Sequence, residues 1–256
     1  MVKVVTRYPL RSPSLDSKIL LFDAETGEFL AVMDGNWITA MRTGAVAAHP
    51  INLFGKQNYQ TIGIVGLENT ARSSLLVLAS IEKRPLNIKL LRYKDQAEQF
   101  IYRFQEYPNL NFEIVDQTEK LVKGTDVILS CATYFENDIC ADNCFDEGVL
   151  VVPVHTRGFT NCDLIFDKVY ADDTSHVDHF KYFKKFKYYA EVSDVINQRA
   201  VGRQNNKERI IVYNIGVSIH NIYYASQIFQ IFKNNPELYN SLKDADMHDP
   251  QEKFWV

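Results

Sequence analysis

QTIGIVGLENTARSSLLVLA, residues 60–79, is the stretch whose reading decides the fold. A β-branched apolar run from Thr61 to Val65 meets Gly66, and apolar residues then recur at Ala71, Leu75, Leu78 and Ala79 with helical spacing. The pattern predicts a strand, a tight turn and a helix, the unit from which parallel sheets are built. The helix start of such a unit offers unpaired backbone N–H groups and the positive end of its dipole, which suits a phosphate. A dinucleotide fingerprint places a second glycine two residues after the first, and here that place holds Glu68. Gly66 can make the turn and Ala71 can take the helix-packing place, yet a carboxylate stands where backbone should approach a pyrophosphate. The stretch therefore speaks for the fold and leaves nucleotide binding open.

Downstream, Pro85 breaks the chain, residues 87–91 read as the next strand and 95–105 as a helix. An NAD-preferring site places an acid at the end of that strand, but the chain reads LLRYKD, and Arg92 tilts the choice toward NADP unless it is simply a solvated arginine. Strands are expected at 112–115, 126–130, 148–154 and 164–170, giving a sheet of about six. The segment CAT ending in Thr133 lies where a strand end faces the ligand crevice. Further strand character at 210–214 and a long helix at 218–232, opened by Gly216, close the regular part of the chain. In the tail EKFWV, Phe254 and Trp255 are expected to dock, or else to hang free.

Upstream, residues 2–5 are strand-like, and 18–22 with 29–33 flank AETG as a β-hairpin. From Thr39, read as an N-cap, TAMRTGAVAA predicts a short helix that Pro50 ends. Its small residues allow close approach to another backbone. Arg42 and Thr43 near its start suit an anion, and the alternative is a surface arginine on an ordinary helix.

The 46% apolar and 23% charged content is ordinary for a globular protein, and a net charge of −4 argues against a nucleic-acid binder. No apolar run has the length of a membrane helix and MVKVVTRYPL is no signal peptide, so a cytoplasmic protein is expected. Cys131, Cys140, Cys144 and Cys162 fit reduced thiols, and Cys140 with Cys144 lacks the further ligands that a zinc site needs, so no metal is expected. The run HVDHFKYFKKFKYY, residues 176–189, interleaves aromatics and lysines, and an amphipathic helix covering the sheet explains it more cheaply than a nucleic-acid surface. His176 and His179 would share a face of that helix. A helix is also expected over 190–200.

The pieces VKVV with Lys3, LFDAETGEFLAVMDG, ITAMRTGAVAAHP, IGIVG with Ala71, the CAT strand end and NIGVSIHNIYYA follow one another along nearly the whole chain. Together they resemble the ornithine cyclodeaminase/μ-crystallin family. The resemblance implies an α/β protein in two parts. A Rossmann-type parallel sheet domain would span 49–216, and a smaller α+β substrate and dimerisation domain would form from both chain ends, 1–48 and 217–256. It also implies NAD or NADP as cofactor and a small amino or imino acid as substrate. Carried over by position, Lys3 and Arg42 grip the substrate carboxylate, and Thr43, Gly66, Glu68, Thr70, Ala71, Arg92, Thr133 and Gly216 fall on the cofactor side. The resemblance places the cyclodeaminases' catalytic aspartate at Asn221, which cannot take a proton. His220 beside it points about 100° away on a helix, which argues against a substitution.

Three departures stand together: Glu68 for glycine, Asn221 for the acid, and a start at Lys3 where the family usually has further residues. They leave two expectations. One is an imine reductase or amino-acid dehydrogenase acting as a homodimer. The other is a catalytically degenerate binding subunit, or half of a split enzyme whose partner chain supplies the missing N-terminal part.

Overall fold

A computed structural model of the protein describes residues 1–8, 10–11, 15–132, 135, 137–154 and 163–242. The chain divides into two compact units, one of residues 35–221 and the other of 1–34 with the chain beyond Asn221.

The larger unit is built on an eight-stranded sheet in the order β10-β9-β11-β8-β7-β4-β5-β6, parallel in every pairing. Its strands are β4 (Thr61–Val65), β5 (Leu86–Leu91), β6 (Leu110–Val115), β7 (Val127–Ser130), β8 (Leu150–Pro153), β9 (Lys168–Ala171), β10 (Tyr189–Glu191) and β11 (Ile210–Tyr213). From β6 to β8 the chain order is third, second, first, fourth, fifth, that of a doubly wound dinucleotide fold. The central strands β7, β8, β9 and β11 are buried along their whole length, as a sheet covered on both faces requires. Alternate residues go to opposite layers. Val127, Leu129, Leu150, Val152, Ile210 and Val212 join one core, while Ile128, Val151, Ile211 and Tyr213 join the other.

The first core is covered by α1 (Gly35–Phe54), α2 (Asn69–Ile81) and α3 (Gln96–Arg103). A Cβ on Gly44 of α1 would lie 2.5 Å from the backbone carbon of Ser73 on α2, so the small residues of α1 do bring two backbones together. The other core takes α4 (Thr118–Val122).

Several elements differ from the sequence reading. Helix α1 starts at Gly35 and runs through Pro50 to Phe54. Thr39 is therefore inside the helix, its hydroxyl donating to the Gly35 carbonyl at 2.5 Å. Pro50 has no N–H to give, but the residues past it bury Ile51 and Phe54, and Phe54 stacks on Tyr170 with centroids 4.3 Å apart. Apolar burial here outweighs one lost hydrogen bond. Residues 176–189 form no helix. Two short 3₁₀ turns, Thr174–His176 and Phe183–Lys185, lead into β10. The ring at every third position, Phe180, Phe183, Phe186 and Tyr189, packs on the sheet, a spacing that short 3₁₀ turns serve. His176 and His179 thus share no helix face. The helix expected over 190–200 shrinks to α5 (Val192–Ile196), because Gln198 turns left-handed at φ 58° and Asp194 takes the backbone N–H groups of Arg199 and Ala200 through its carbonyl. With β10 and β11 in place the sheet has eight strands rather than six.

The smaller unit carries an antiparallel sheet of β1 (Val2–Arg7), β2 (Leu15–Phe22) and β3 (Phe29–Asp34), in that order. Asp23 fixes the β2–β3 turn by accepting from the backbone N–H groups of Glu25 and Thr26, both at 2.9 Å. On the outer strand β1, Val2, Val4 and Val5 are about half exposed. Helix α6 (Ser218–Lys233) passes from the larger unit into this one and is followed by α7 (Pro236–Asn240). Phe254 and Trp255 lie outside the described residues, as does Cys162. Among the described residues no helix is long and apolar enough to cross a membrane.

Candidate functional site

Because every strand of the large sheet points the same way, the residues that follow them lie along one edge. These are Asp172 after β9, Gly216 after β11, Cys131 after β7, Gly66 after β4 and Arg92 after β5. Ligand crevices of open parallel sheets lie at this edge, where the chain order reverses, here between β4 and β7. Gly66 has φ 77°, and a Cβ on it would lie 2.6 Å from the Ala132 nitrogen and 2.7 Å from the Cys131 carbonyl carbon. Left-handed backbone and a neighbour at this range together admit only glycine. Burial pushes the Cys131 thiol up, so it is a protonated packing group rather than a nucleophile.

Glu68 is the N-cap of α2, yet its side chain is exposed and makes no cap hydrogen bond. It leaves the first-turn N–H groups of Asn69, Thr70 and Ala71 open instead of closing them. Ala71 is fully buried and takes the helix-packing place. Arg72, which the sequence reading passed over, has a buried Nε with no hydrogen-bond partner. Its burial, and then Arg103, hold its acidity above that of an ordinary arginine, with Glu68 acting the other way. Arg92 donates to Asp116 at 2.8 Å and Glu98 at 2.6 Å, so a 2′-phosphate would compete with two carboxylates for it.

A second group of residues gathers at the β9 and β11 end of the edge. Arg42, on α1, packs against Gly216 so closely that a Cβ there would overlap its Nη1. Gly216 has φ 94°, and its N–H donates to Asp172, whose other oxygen lies 3.3 Å from His176 Nδ1. Nε and Nη1 of Arg42 are buried and have no hydrogen-bond partner. Burial lowers the Arg42 pKa, and the charge of Asp172 offsets part of this. An unpaired desolvated cation is costly, of order 3–5 kcal/mol where a buried pair loses one member. Among the described residues, two of the guanidinium's donors are thus left without a partner at the carboxyl edge of the sheet.

His220, in the first turn of α6, completes the group. Its Nδ1 is buried and has no partner, and burial followed by the Arg42 charge lowers its pKa, with Asp172 opposing and His49 adding to the depression. Asn221, the residue after it, is buried at 6% exposure. The structure thus brings Arg42 and Gly216 together, and adds Asp172 and His220. Asp172 was legible only as a residue just past a strand. Thr43 lies on α1 and gives its hydroxyl to the Thr39 carbonyl at 2.6 Å. Thr133 falls outside the described residues. Lys3 lies in the smaller unit on β1, paired in register with Ile19. Among the described residues no cluster of three His, Cys, Asp or Glu groups is placed to hold a metal.

Comparison with known proteins agrees with this layout. The nodulation efficiency protein NfeD of Rhizobium meliloti is 25% identical over 226 residues, 86% of this chain and 70% of that protein. The N-((2S)-2-amino-2-carboxyethyl)-L-glutamate dehydrogenase of Staphylococcus aureus is 25% identical over 231 residues, covering 83% of this chain and 67% of the enzyme. In fold, the chain is similar to the Thermococcus litoralis Delta(1)-pyrroline-2-carboxylate reductase solved with NADH and L-proline, at a TM-score of 0.79 and 20% identity, over 91% of this chain and 77% of that one. The family model for the ornithine cyclodeaminase/mu-crystallin family matches residues 2–235. That match covers most of the chain, and the chain belongs to the ornithine cyclodeaminase/mu-crystallin family.

Proposed function

We propose that the protein is an NAD(P)-dependent oxidoreductase that reduces the C=N bond of a small imino acid, or runs the reverse oxidation of an amino acid. The observation that carries the reading is Arg42, a half-buried guanidinium at the carboxyl edge of the sheet whose Nε and Nη1 find no partner among the described residues. A substrate carboxylate is the planar, bidentate anion that such a group accepts. The relatives support it, since two of them are named as a dehydrogenase of an amino-acid derivative and a pyrroline-carboxylate reductase.

The turn after β4 fits a dinucleotide. Gly66 carries no side chain into the turn, the amides that open α2 take no cap from Glu68, and Glu68 is exposed. Bound there, the cofactor supplies hydride transfer. Gly66, Thr70 and Ala71 would hold its pyrophosphate through backbone N–H groups, with Glu68 at the rim and Arg92 on the ribose side. Thr43, Thr133 and Gly216 are assigned to the cofactor side as well. Arg42 binds and orients the carboxylate, and the glycine at 216 lets the guanidinium lie against the backbone. A homodimer is part of the proposal, since the outer strand β1 leaves backbone and three valines open to pairing.

The test is a titration of the purified chain with NADH and NADPH, read by nicotinamide fluorescence and melting temperature, followed by an assay with cyclic ketimine carboxylates. Saturable binding and turnover are expected. A folded chain that binds neither cofactor sinks the reading.

A further inference from the structure

Reduction of a C=N bond needs a proton as well as a hydride, and the aspartate that the family's cyclodeaminases use is Asn221 here. An amide cannot supply the proton. The larger unit holds a different titratable group beside the carboxylate-binding arginine. Arg42 packs on Gly216 at the turn into α6, and His220 follows in the first turn of that helix. Both side chains bury nitrogen atoms that find no hydrogen-bond partner among the described residues: Nε and Nη1 of Arg42, and Nδ1 of His220. Buried polar atoms without partners call for an explanation, and a ligand carrying both an anion and a hydrogen-bonding nitrogen would answer both. An α-imino acid has both.

Resting on the imine-reductase reading, we propose that His220 is the proton donor of the reaction, and that a substrate carboxylate on Arg42 prepares it for that role. Among the described residues, the charged or titratable groups whose fields reach it are Arg42 and His49 from α1 and Asp172 from the end of β9. Burial first, and then the Arg42 charge, lower the imidazole pKa, and Asp172 opposes them. A carboxylate on Arg42 cancels the guanidinium's repulsion, so the imidazole takes up a proton from water. In the reaction the C=N carbon receives the hydride and the π pair moves to nitrogen. His220 then gives that nitrogen its proton and is recharged from solvent. In the oxidative direction it takes the same proton away.

Linkage requires that binding and proton uptake be one event. The probe is pyrrole-2-carboxylate, whose ring nitrogen is not basic near neutrality, so any proton taken up belongs to the protein. Calorimetric titration in buffers of different ionisation heat counts protons per ligand bound. The wild type is expected to take up a substantial fraction of a proton above the His220 pKa. His220→Gln should bind the probe with uptake abolished, and should lose roughly 10²- to 10⁴-fold in kcat with little change in KM. His179→Gln, exposed and outside this group, should keep both. Uptake that survives His220→Gln, or a variant with wild-type kcat and pH profile, overturns the assignment while leaving the reductase reading intact. A wild type that binds no carboxylate overturns both. A His220→Asn variant that is folded by circular dichroism serves if the glutamine form is not.

Discussion

The guanidinium of Arg42 fills the space that a side chain on Gly216 would need. One residue supplies charge and the other supplies room, and Asp172 holds the pair in place by accepting the Gly216 N–H. Gly216→Ala is therefore expected to push the guanidinium out of position while the sheet survives. Carboxylate affinity should fall at least tenfold, with a smaller effect on cofactor affinity. Separate titrations with pyrrole-2-carboxylate and NADH read the two, and equal losses in both would contradict the arrangement.

Glu68 makes no cap and faces solvent, so its effect on a bound pyrophosphate is that of an exposed like charge. Exposed charge pairs are worth about 0.2–1 kcal/mol. Glu68→Gly should tighten NADH or NADPH binding by no more than roughly fivefold, and the gain should fade at high salt. Fluorescence titration at low and high ionic strength checks this. A gain of several orders of magnitude would mean that Glu68 closes the site.

Gly66 is held between a left-handed backbone and the chain leaving β7. Gly66→Ala adds a strain of order 1–3 kcal/mol and forces Cys131 and Ala132 to move. The variant should lose stability in urea and bind no dinucleotide. Unchanged stability would show that the turn has slack.

At the far end of α2, the carboxylate of Glu82 accepts from the Arg84 side chain through Nε at 3.0 Å and from the Arg84 backbone N–H at 2.9 Å. Arg84, with smaller help from the backbone, holds its pKa down to about 2. A carboxyl whose folded pKa is depressed stabilises the protein above its unfolded value of about 4.3 and loses that contribution as pH falls toward the folded one. Glu82→Gln should therefore be less stable than wild type at pH 6, with the gap closing between pH 4.5 and 2. Urea midpoints across that range provide the measurement.

Much of this was legible in residues 60–79 and in ITAMRTGA. Local pattern fixes a strand, a glycine turn and a helix, because alternation and helical spacing act over neighbours in sequence. Short strands such as β10 escaped it, since three residues carry no period. Pro50 misled it, because the burial of Phe54 against Tyr170 is a long-range term that no local rule contains. The aromatic run misled it too, where packing on the sheet selects short turns over a helix.

The chain's own chemistry determined the parallel sheet and the family, and it singled out Arg42 in ITAMRTGA. Only the tertiary structure decided what surrounds that arginine. Asp172 and His220 lie far from Arg42 in sequence, and they meet it because parallel strands bring their carboxyl ends to one edge. It also decided that Glu68 is exposed and does not cap α2. Which groups share a field, and which side chains find a partner, are sums over neighbours that the fold alone selects.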